Sequence, residues 1–184
     1  MGKIKARRRK TEKRGMTDCT CHYDSPLGGI TLTGDGASLT GLWFDGQKHF
    51  PDPLPARCGG MLPVFRQTFR WLDLYFGGKI PDFTPPLEMR TTPFRKEVWE
   101  ILLTIPYGRT MTYGDIAAVM AARKGLPRMS AQAVGGAVGH NSISLIIPCH
   151  RVIGADGTFT GYAGGIGRKA ELLAMERRLF DRAR

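Results

Sequence analysis

A cysteine, a histidine and an arginine follow a short apolar run and a proline in residues 144–154, SLIIPCHRVIG. Cys149 is a candidate nucleophile, although a free thiol with a pKa of about 8.5 is mostly protonated at neutral pH. His150 is a candidate base for it, and positive charge from Arg151 would favour the thiolate. Adjacent side chains of an extended chain point in opposite directions, so this pairing requires a bridging water or a turn. Glu176 is either the carboxylate that orients the imidazole or a solvated residue on a charged helix face.

Other cysteine and cofactor chemistries lack their usual sequence signals. A papain-type hydrolase places its histidine far downstream of the cysteine, whereas no histidine follows His150. The glycine-rich patterns of dinucleotide and P-loop nucleotide sites are also absent. Cys19, Cys21 and His22 lie close together, but no later cysteine and histidine complete a tetrahedral zinc set. We therefore expect neither a metal nor a cofactor to assist Cys149.

The first half of the chain predicts a small sheet and one helix. Residues 28–36, GGITLTGDG, alternate apolar and polar side chains and end in a hairpin signal, and residues 38–44 supply a second strand. Residues 64–78 place apolar side chains at helical spacing and end at two glycines. Four prolines in residues 79–93 then indicate an interdomain linker.

The second half predicts mostly helices, which would position the cysteine. A helix begins near residue 92 and ends before Pro106, and Thr112 can cap another over residues 115–122. Ser130 can cap the next helix, AQAVGGAVG, which completes a helix-turn-helix pattern. Its small residues suit either a tight helix–helix contact or a close approach to a DNA groove. Residues 145–147 predict a buried strand or extended segment that leads to the cysteine.

Composition and charge narrow the class of protein. No apolar run reaches the ~20 residues of a membrane span, and the charged N-terminus lacks a signal peptide, so we expect a cytoplasmic protein. The four cysteines form no C-x-x-C pair and give no reason to expect a disulfide. Residues 1–14 hold eight basic side chains against one acid, a net +7 of the chain's +11. Such a tail favours contacts with DNA phosphates or serves as a solubilising extension.

At this point the residues resemble those of the O6-alkylguanine-DNA alkyltransferases, in particular their bacterial members. IIPCHRVIG resembles the active-site motif of that family, GYAGG a second pocket element, and AVGGAVGHN the recognition helix and hinge. YDSPLGGITLTGDGASLTGLWF is similar to the family's N-terminal domain. The resemblance covers about residues 22–177. It implies DNA repair by direct and irreversible transfer of a methyl group from O6-methylguanine, and from O4-methylthymine, to the protein.

The resemblance also assigns residues to roles. It implies that Cys149 accepts the methyl group, that His150 deprotonates it through a water, and that Glu176 holds the histidine. Asn141 matches the hinge asparagine that follows the recognition helix, and Tyr113 matches the tyrosine that donates to the departing purine. The other positions assigned are the lesion-pocket residues Met111, Gln132, Val152, Tyr162 and Ala163, and the DNA-contact residues Thr110, Gly114, Arg128, Gln132, Ala133, Gly135 and Arg151.

The implied mechanism has further consequences. A lesion inside a duplex is unreachable, so the nucleotide is flipped out, here from the minor groove. A methyl thioether is a poor leaving group, so Cys149 is consumed in one turnover without a cofactor. The expected partner is double-stranded DNA that contains O6-alkylguanine, bound by a monomer. Gln132 departs from the family, which often has an arginine there to fill the gap left by the flipped base.

The sequence predicts an α/β (α+β) protein of two domains. A basic tail, 1–16, precedes a ribonuclease-H-like sheet-and-helix domain, 17–88, whose linker starts at about residue 79. A mostly helical domain with a winged-helix-like helix-turn-helix follows over 89–184. Two other functions remain open: a protein that binds alkyl lesions without repairing them, and a transcription regulator that senses alkylation. Cys149 argues against the first, and the short tail leaves no room for the activator domain that the second requires.

Overall fold

The computed structural model of the protein describes residues 17–182, so the predicted basic tail lies outside the described residues. Three strands and one helix form the N-terminal part: β1 (Cys19–Ser25), β2 (Gly28–Gly34), β3 (Leu39–Phe44) and α1 (Pro63–Phe76). The C-terminal part contains α2 (Pro93–Leu102), β4 (Met111–Thr112), α3 (Tyr113–Arg123), α4 (Ala131–Gly139), a 3₁₀ turn (Cys149–Arg151), β5 (Val152–Ile153) and α5 (Ile166–Arg182).

The N-terminal strands form an antiparallel sheet in the order β1-β2-β3, as the hairpin signals predict. Ile30 and Leu32 face the core with no exposed surface, and α1 packs on the sheet through Phe65 and Leu72. Burial of these apolar side chains is the main force that holds helix and sheet together. The outer edge of β3 is covered, since Leu39 exchanges backbone hydrogen bonds with residues 86–88 of the linker.

A disulfide joins Cys19 in β1 to Cys58 in the loop before α1, although the cysteine spacing gave no reason to expect one. Backbone hydrogen bonds from Thr20 to Ala56 and from Cys58 to Thr20 hold the same loop against β1. The two cysteines are 39 residues apart, so their proximity depends on this loop packing and carries no local sequence signal. Cys21 and Cys149 remain free.

The C-terminal helices begin at the predicted caps. The hydroxyls of Thr92, Thr112 and Ser130 accept hydrogen bonds from the backbone N–H groups of the first turns of α2, α3 and α4. The α3 and α4 helices pack on each other as a helix-turn-helix, and α2 covers their buried side. The indole of Trp99 in α2 donates to the backbone oxygen of Ala137 in α4 at 2.9 Å. The small residues of α4 therefore do allow a tight helix–helix contact.

The segment that leads to the cysteine is a compact turn, so the predicted strand at residues 145–147 is wrong. Ile147 donates its backbone N–H to Ile143 at 3.0 Å, and Leu145 has a positive φ of 68°. Residues 142–144 pair with Leu42 of β3, which joins this turn to the N-terminal sheet. An apolar run shows burial but does not distinguish a strand from a buried turn.

Within residues 17–182, no helix is long and apolar enough to cross a membrane.

Candidate active site

The nucleophile candidate sits at the start of the 3₁₀ turn that follows Pro148. Cys149 is 4% exposed, and its Sγ lies 3.1 Å from Nδ2 of Asn141. The turn supplies the change of direction that an extended Cys-His pair would lack. An amide N–H directed at sulfur stabilises the thiolate more than the thiol.

Asn141 is the residue that connects the end of α4 to the cysteine. Its Oδ1 accepts the backbone N–H of Ile143, and its Nδ2 donates to the backbone oxygen of Ile147 at 2.7 Å as well as to Cys149. The acceptor and donor partners together define the orientation of the amide. Asn141 thus ties the end of α4, the compact turn and the sulfur atom into one unit.

His150 and Glu176 form a buried pair next to the cysteine. The two side chains have no exposed surface, and His150 Nε2 lies 2.7 Å from Glu176 Oε1. Since an ionised carboxylate only accepts hydrogen bonds, Nε2 carries the proton of the neutral imidazole. Nδ1 is then the basic nitrogen. It is buried, and no group within residues 17–182 is hydrogen-bonded to it.

The charges of the site favour a neutral cysteine and histidine at rest. Burial raises the pKa of the Cys149 thiol, and the Asn141 hydrogen bond and the Lys169 charge offset this only in part. Burial lowers the pKa of His150, although Glu176 acts in the opposite direction. Burial would also raise the pKa of Glu176, but His150 and Arg151 outweigh it and hold that pKa well below its usual range. The site therefore holds a thiol, a neutral imidazole and an ionised carboxylate.

Four of the predicted pocket residues lie in β4, in β5 and in the loop before α5, whereas Gln132 lies exposed in the first turn of α4. Val152 in β5 pairs with Met111 in β4, directly after the 3₁₀ turn. Tyr162 is 8% exposed with its ring centroid 6.5 Å from that of His150, and the half-buried Ala163 follows it. The Tyr113 hydroxyl donates to the backbone oxygen of Thr160 at 3.0 Å. Burial raises the pKa of Tyr113, so its phenol stays protonated and can donate.

Arg151 is not placed for DNA contact, which corrects its assignment. The residue is 4% exposed, and its guanidinium donates twice to Glu176, at 2.8 and 2.9 Å, and once to the backbone oxygen of Ile105. The guanidinium also lies 4.1 Å from the centroid of the Tyr107 ring. A buried carboxylate needs a charged partner, and Arg151 is that partner.

The remaining predicted DNA-contact residues lie on the surface of the helix-turn-helix and the segment before it. Those with exposed positions are Thr110, Gly114, Arg128, Gln132 and Ala133, and Gly135 is half-buried. A cavity of about 440 Å³ lies between α4 and the Tyr162 loop, and Lys48 and His49 of the N-terminal part also line it. A Cβ at Gly136 or Gly139 would meet no atom within 4 Å, so this face of α4 is open. The outward side of α4 is therefore accessible to a binding partner.

Comparison with known families identifies the family of the chain. The model of the 6-O-methylguanine DNA methyltransferase ribonuclease-like domain matches residues 21–89, and that of the DNA binding domain of the same protein matches residues 93–178. The chain belongs to the 6-O-methylguanine DNA methyltransferase family. Its fold is that of the family, with a ribonuclease-like domain followed by a DNA-binding domain, as predicted. The limits of 17–88 and 89–184 stay predictions.

Individual relatives of this methyltransferase family cover most of the chain. A methylated-DNA–protein-cysteine methyltransferase of Mycobacterium tuberculosis is 44% identical over 164 residues, which cover 85% of this chain and 92% of that protein. One of Methanosarcina barkeri is 44% identical over 159 residues, 84% and 96% of the two chains. The crystal structure of Mycobacterium tuberculosis OGT in complex with DNA has a TM-score of 0.74 at 43% identity, and covers 88% of this chain and 93% of that one.

Two residues at the methyltransferase site were not predicted from the sequence. Lys169 is fully buried, and its ammonium donates to the backbone oxygens of Val152 and Thr160. Burial lowers its pKa to about 8. It precedes Glu176 by seven positions on α5, a helical spacing that could have placed both on one buried face. The second, Tyr75, comes from α1, and no sequence signal links it to the site.

Proposed function

We propose that Cys149 accepts the methyl group of O6-methylguanine in DNA by direct displacement. The sulfur of Cys149 bonds to the methyl carbon while the bond from that carbon to O6 breaks, and the electron pair stays on the guanine. S-methylcysteine is stable, so each molecule reacts once. The observation that carries the proposal is the buried Cys149 sulfur, held by Asn141 beside a neutral imidazole.

The proposed relay moves one proton from Cys149 to His150. A bridging water passes the thiol proton to Nδ1, the nitrogen that has no hydrogen-bonded partner among residues 17–182. The imidazolium is stabilised by Glu176 at 2.7 Å. The neutral pair of Cys149 and His150 becomes a thiolate–imidazolium ion pair next to the Glu176 carboxylate. Because the proton only moves between the two groups, the net charge of the site is unchanged. Burial keeps the thiol protonated at rest. The imidazolium formed by the relay then stabilises the thiolate at the moment of methyl transfer.

Tyr113 is the proposed acid for the departing guanine. The guanine leaves as a neutral base if the Tyr113 hydroxyl gives its proton to the purine as the C–O bond breaks. The hydroxyl donates to Thr160 in the free protein, so it must exchange that acceptor for the base. The tyrosinate left behind and the imidazolium of His150 are neutralised by proton exchange with solvent.

In the proposed substrate, the damaged nucleotide is flipped out of the base stack of double-stranded DNA by a protein bound in the minor groove. The exposed side of α4, with Gln132 and Ala133 near its start, supports this arrangement because its small residues permit close approach. The structure of the M. tuberculosis relative in complex with DNA supports DNA as the partner. We extend the proposal to O4-methylthymine, which presents its methyl group on an equivalent exocyclic oxygen.

The proposal further includes a monomer that acts in the cytoplasm. The reactive sulfur and its partners Asn141, His150 and Glu176 lie within a single chain, so the proposed chemistry needs no second copy. The location is inferred from the DNA substrate.

Intact mass spectrometry after mixing with a duplex that contains O6-methylguanine tests the function. The expected result is a stoichiometric gain of one methyl group, mapped to the peptide that contains Cys149. Cys149→Ser should gain nothing, whereas Cys21→Ser, which removes the other free thiol, should react as wild type does. Tight lesion binding without a mass gain would contradict transfer and favour a lesion-binding protein.

A further inference from the structure

The N-terminal domain reaches the reactive centre through Tyr75. Its hydroxyl donates to Glu176 Oε1 at 2.9 Å, across 101 residues of sequence. Tyr75 is fully buried in α1, where its ring stacks on that of Trp71 with centroids 5.2 Å apart. Its ring also lies 6.2 Å from that of Tyr107. The hydroxyl is therefore held rigidly against the carboxylate.

Glu176 Oε1 is shared among three donors. These are His150 Nε2 at 2.7 Å, Arg151 Nη2 at 2.9 Å and the Tyr75 hydroxyl at 2.9 Å. Burial, followed by the charge of Glu176, raises the pKa of Tyr75 well above its ordinary value of 10.0. Tyr75 consequently remains a phenol throughout the pH range of the reaction and acts only as a donor to this carboxylate.

We propose that Tyr75 is a positioning residue for methyl transfer: its hydroxyl orients Glu176 and limits how strongly Glu176 retains a proton on His150. The inference rests on the proposed function of Cys149. A hydrogen bond from Tyr75 withdraws charge from Oε1, and so weakens the attraction of that oxygen for an imidazolium. Without this hydrogen bond the pKa of His150 would be higher. Fewer molecules would then hold the neutral imidazole that accepts the thiol proton. The N-terminal domain would thereby set the pH range in which Cys149 reacts.

Several groups besides Tyr75 act on the proton affinity of His150. The titratable and charged side chains that face it or its carboxylate partner are Cys149, Arg151, Tyr162, Lys169 and Glu176. All of them remain in place in Tyr75→Phe, which removes a single oxygen atom. A change in the pH profile of that variant therefore reports the hydrogen bond.

The experiment compares Tyr75→Phe with a matched control, Tyr23→Phe. Tyr23 also donates to a carboxylate, Asp73, at 2.8 Å, but on the exposed side of the N-terminal domain. The rate constant of methyl transfer from an O6-methylguanine duplex is measured against pH, together with duplex affinity. In Tyr75→Phe the acid limb should move to higher pH by roughly one unit, with a roughly tenfold slower reaction on that limb and unchanged affinity. Tyr23→Phe should superimpose on wild type.

A second measurement is independent of turnover. NMR titration of ¹⁵N-labelled histidine in the Cys149→Ser background should show a higher His150 pKa after Tyr75→Phe. Unchanged rate profiles and an unchanged His150 titration would overturn the inference and leave Tyr75 a packing residue. If wild type transfers no methyl group, the proposed function fails, and the titration alone decides the role of Tyr75.

Discussion

At the scale of single residues, the site keeps its nucleophile inactive until a substrate arrives. Cys149 is buried and its pKa is raised by that burial, so the free protein is protected from solution electrophiles and oxidants. The base beside it, His150, is neutral and able to take the proton. Reactivity therefore depends on a guanine that completes the site, and not on a standing thiolate.

Glu176 should contribute strongly to stability as well as to chemistry. In Glu176→Gln, the buried Arg151 guanidinium loses its counter-charge, and breaking such a pair costs about 3–5 kcal/mol of unfolding free energy. Because folding lowers the pKa of Glu176, its contribution is present above its ordinary pKa of 4.5 and is lost as pH falls through the lower value in the folded state. Urea unfolding at pH 7 measures the cost. The exposed Glu171→Gln on the same helix should change stability by no more than about 0.5 kcal/mol.

Lys169 should produce a decline of the transfer rate in alkali. Its ammonium favours the thiolate of Cys149, and this help disappears as pH rises through its pKa of about 8. Wild type should therefore slow above that pH, whereas Lys169→Met should be slower than wild type below it and lack the alkaline decline. Single-turnover rates from pH 6 to 10 test this, with the exposed Lys79→Met as control. A decline that persists in Lys169→Met would assign the alkaline titration to another group.

Gln132 should give a lower affinity for a DNA duplex than an arginine at the same position. It lies exposed in the first turn of α4, where an amide can fill the gap in the base stack but brings no charge. Gln132→Arg should add one phosphate or base contact and tighten duplex binding by about 1 kcal/mol or more. Fluorescence anisotropy at constant salt measures the affinity. If the variant binds and repairs no better than wild type, charge at this position is unimportant in this chain.

At the scale of elements, the loop that carries Tyr162 is held by both domains. Arg168 donates to Leu27 in the β1–β2 turn and to Gly164 in the loop, and its guanidinium lies 4.8 Å from the centroid of the Phe44 ring. The backbone N–H of Lys48 adds a hydrogen bond to the oxygen of Ala163 at 3.0 Å. Together these contacts anchor one wall of the proposed lesion pocket to the N-terminal sheet.

Removal of this anchor should slow methyl transfer. In Arg168→Met the loop is no longer tied to the β1–β2 turn, and a small displacement of Tyr162 should slow transfer by roughly tenfold. Arg70→Met is the matched control, because Arg70 also lies over a phenylalanine ring, Phe83, at 5.3 Å. Rates at saturating duplex separate this effect from binding. Equal rates in the two variants would show that the loop keeps its position without Arg168.

Much of the architecture was predictable because local signals agreed with it. Threonine and serine caps marked the starts of α2, α3 and α4, and the Gly-Asp-Gly turn marked the hairpin of β2 and β3. Residue types made Cys149, His150 and Glu176 candidates, the family resemblance added Asn141, and the structure brings the four side chains together. The compact turn at residues 145–147 was missed because burial does not reveal backbone direction.

Sequence motifs did not predict the contacts between segments that are distant in the chain. The Cys19–Cys58 disulfide and the Tyr75–Glu176 hydrogen bond each depend on how separate elements pack. Arg151 was assigned to DNA contact through the family resemblance. Its burial depends on Glu176 of α5, which lies 25 residues further along the chain.

At the scale of the whole molecule, charge should govern the encounter with DNA. The N-terminal tail carries a net +7 of the chain's +11. If it binds phosphates, deletion of residues 1–14 should make the log–log salt dependence of duplex binding shallower by about 0.9 for each phosphate that the tail neutralises. Binding titrations between low and physiological salt give the two slopes. An unchanged slope would leave the tail without a role in DNA binding.

The covered edge of β3 has a consequence for partly opened forms of the protein. Leu39 is paired with the linker and Leu42 with residues 142–144, so both halves of the chain shield this strand. An opening that separates the halves would expose unpaired backbone groups on an apolar strand, a template for intermolecular β-pairing. Aggregation on heating should therefore begin at this strand.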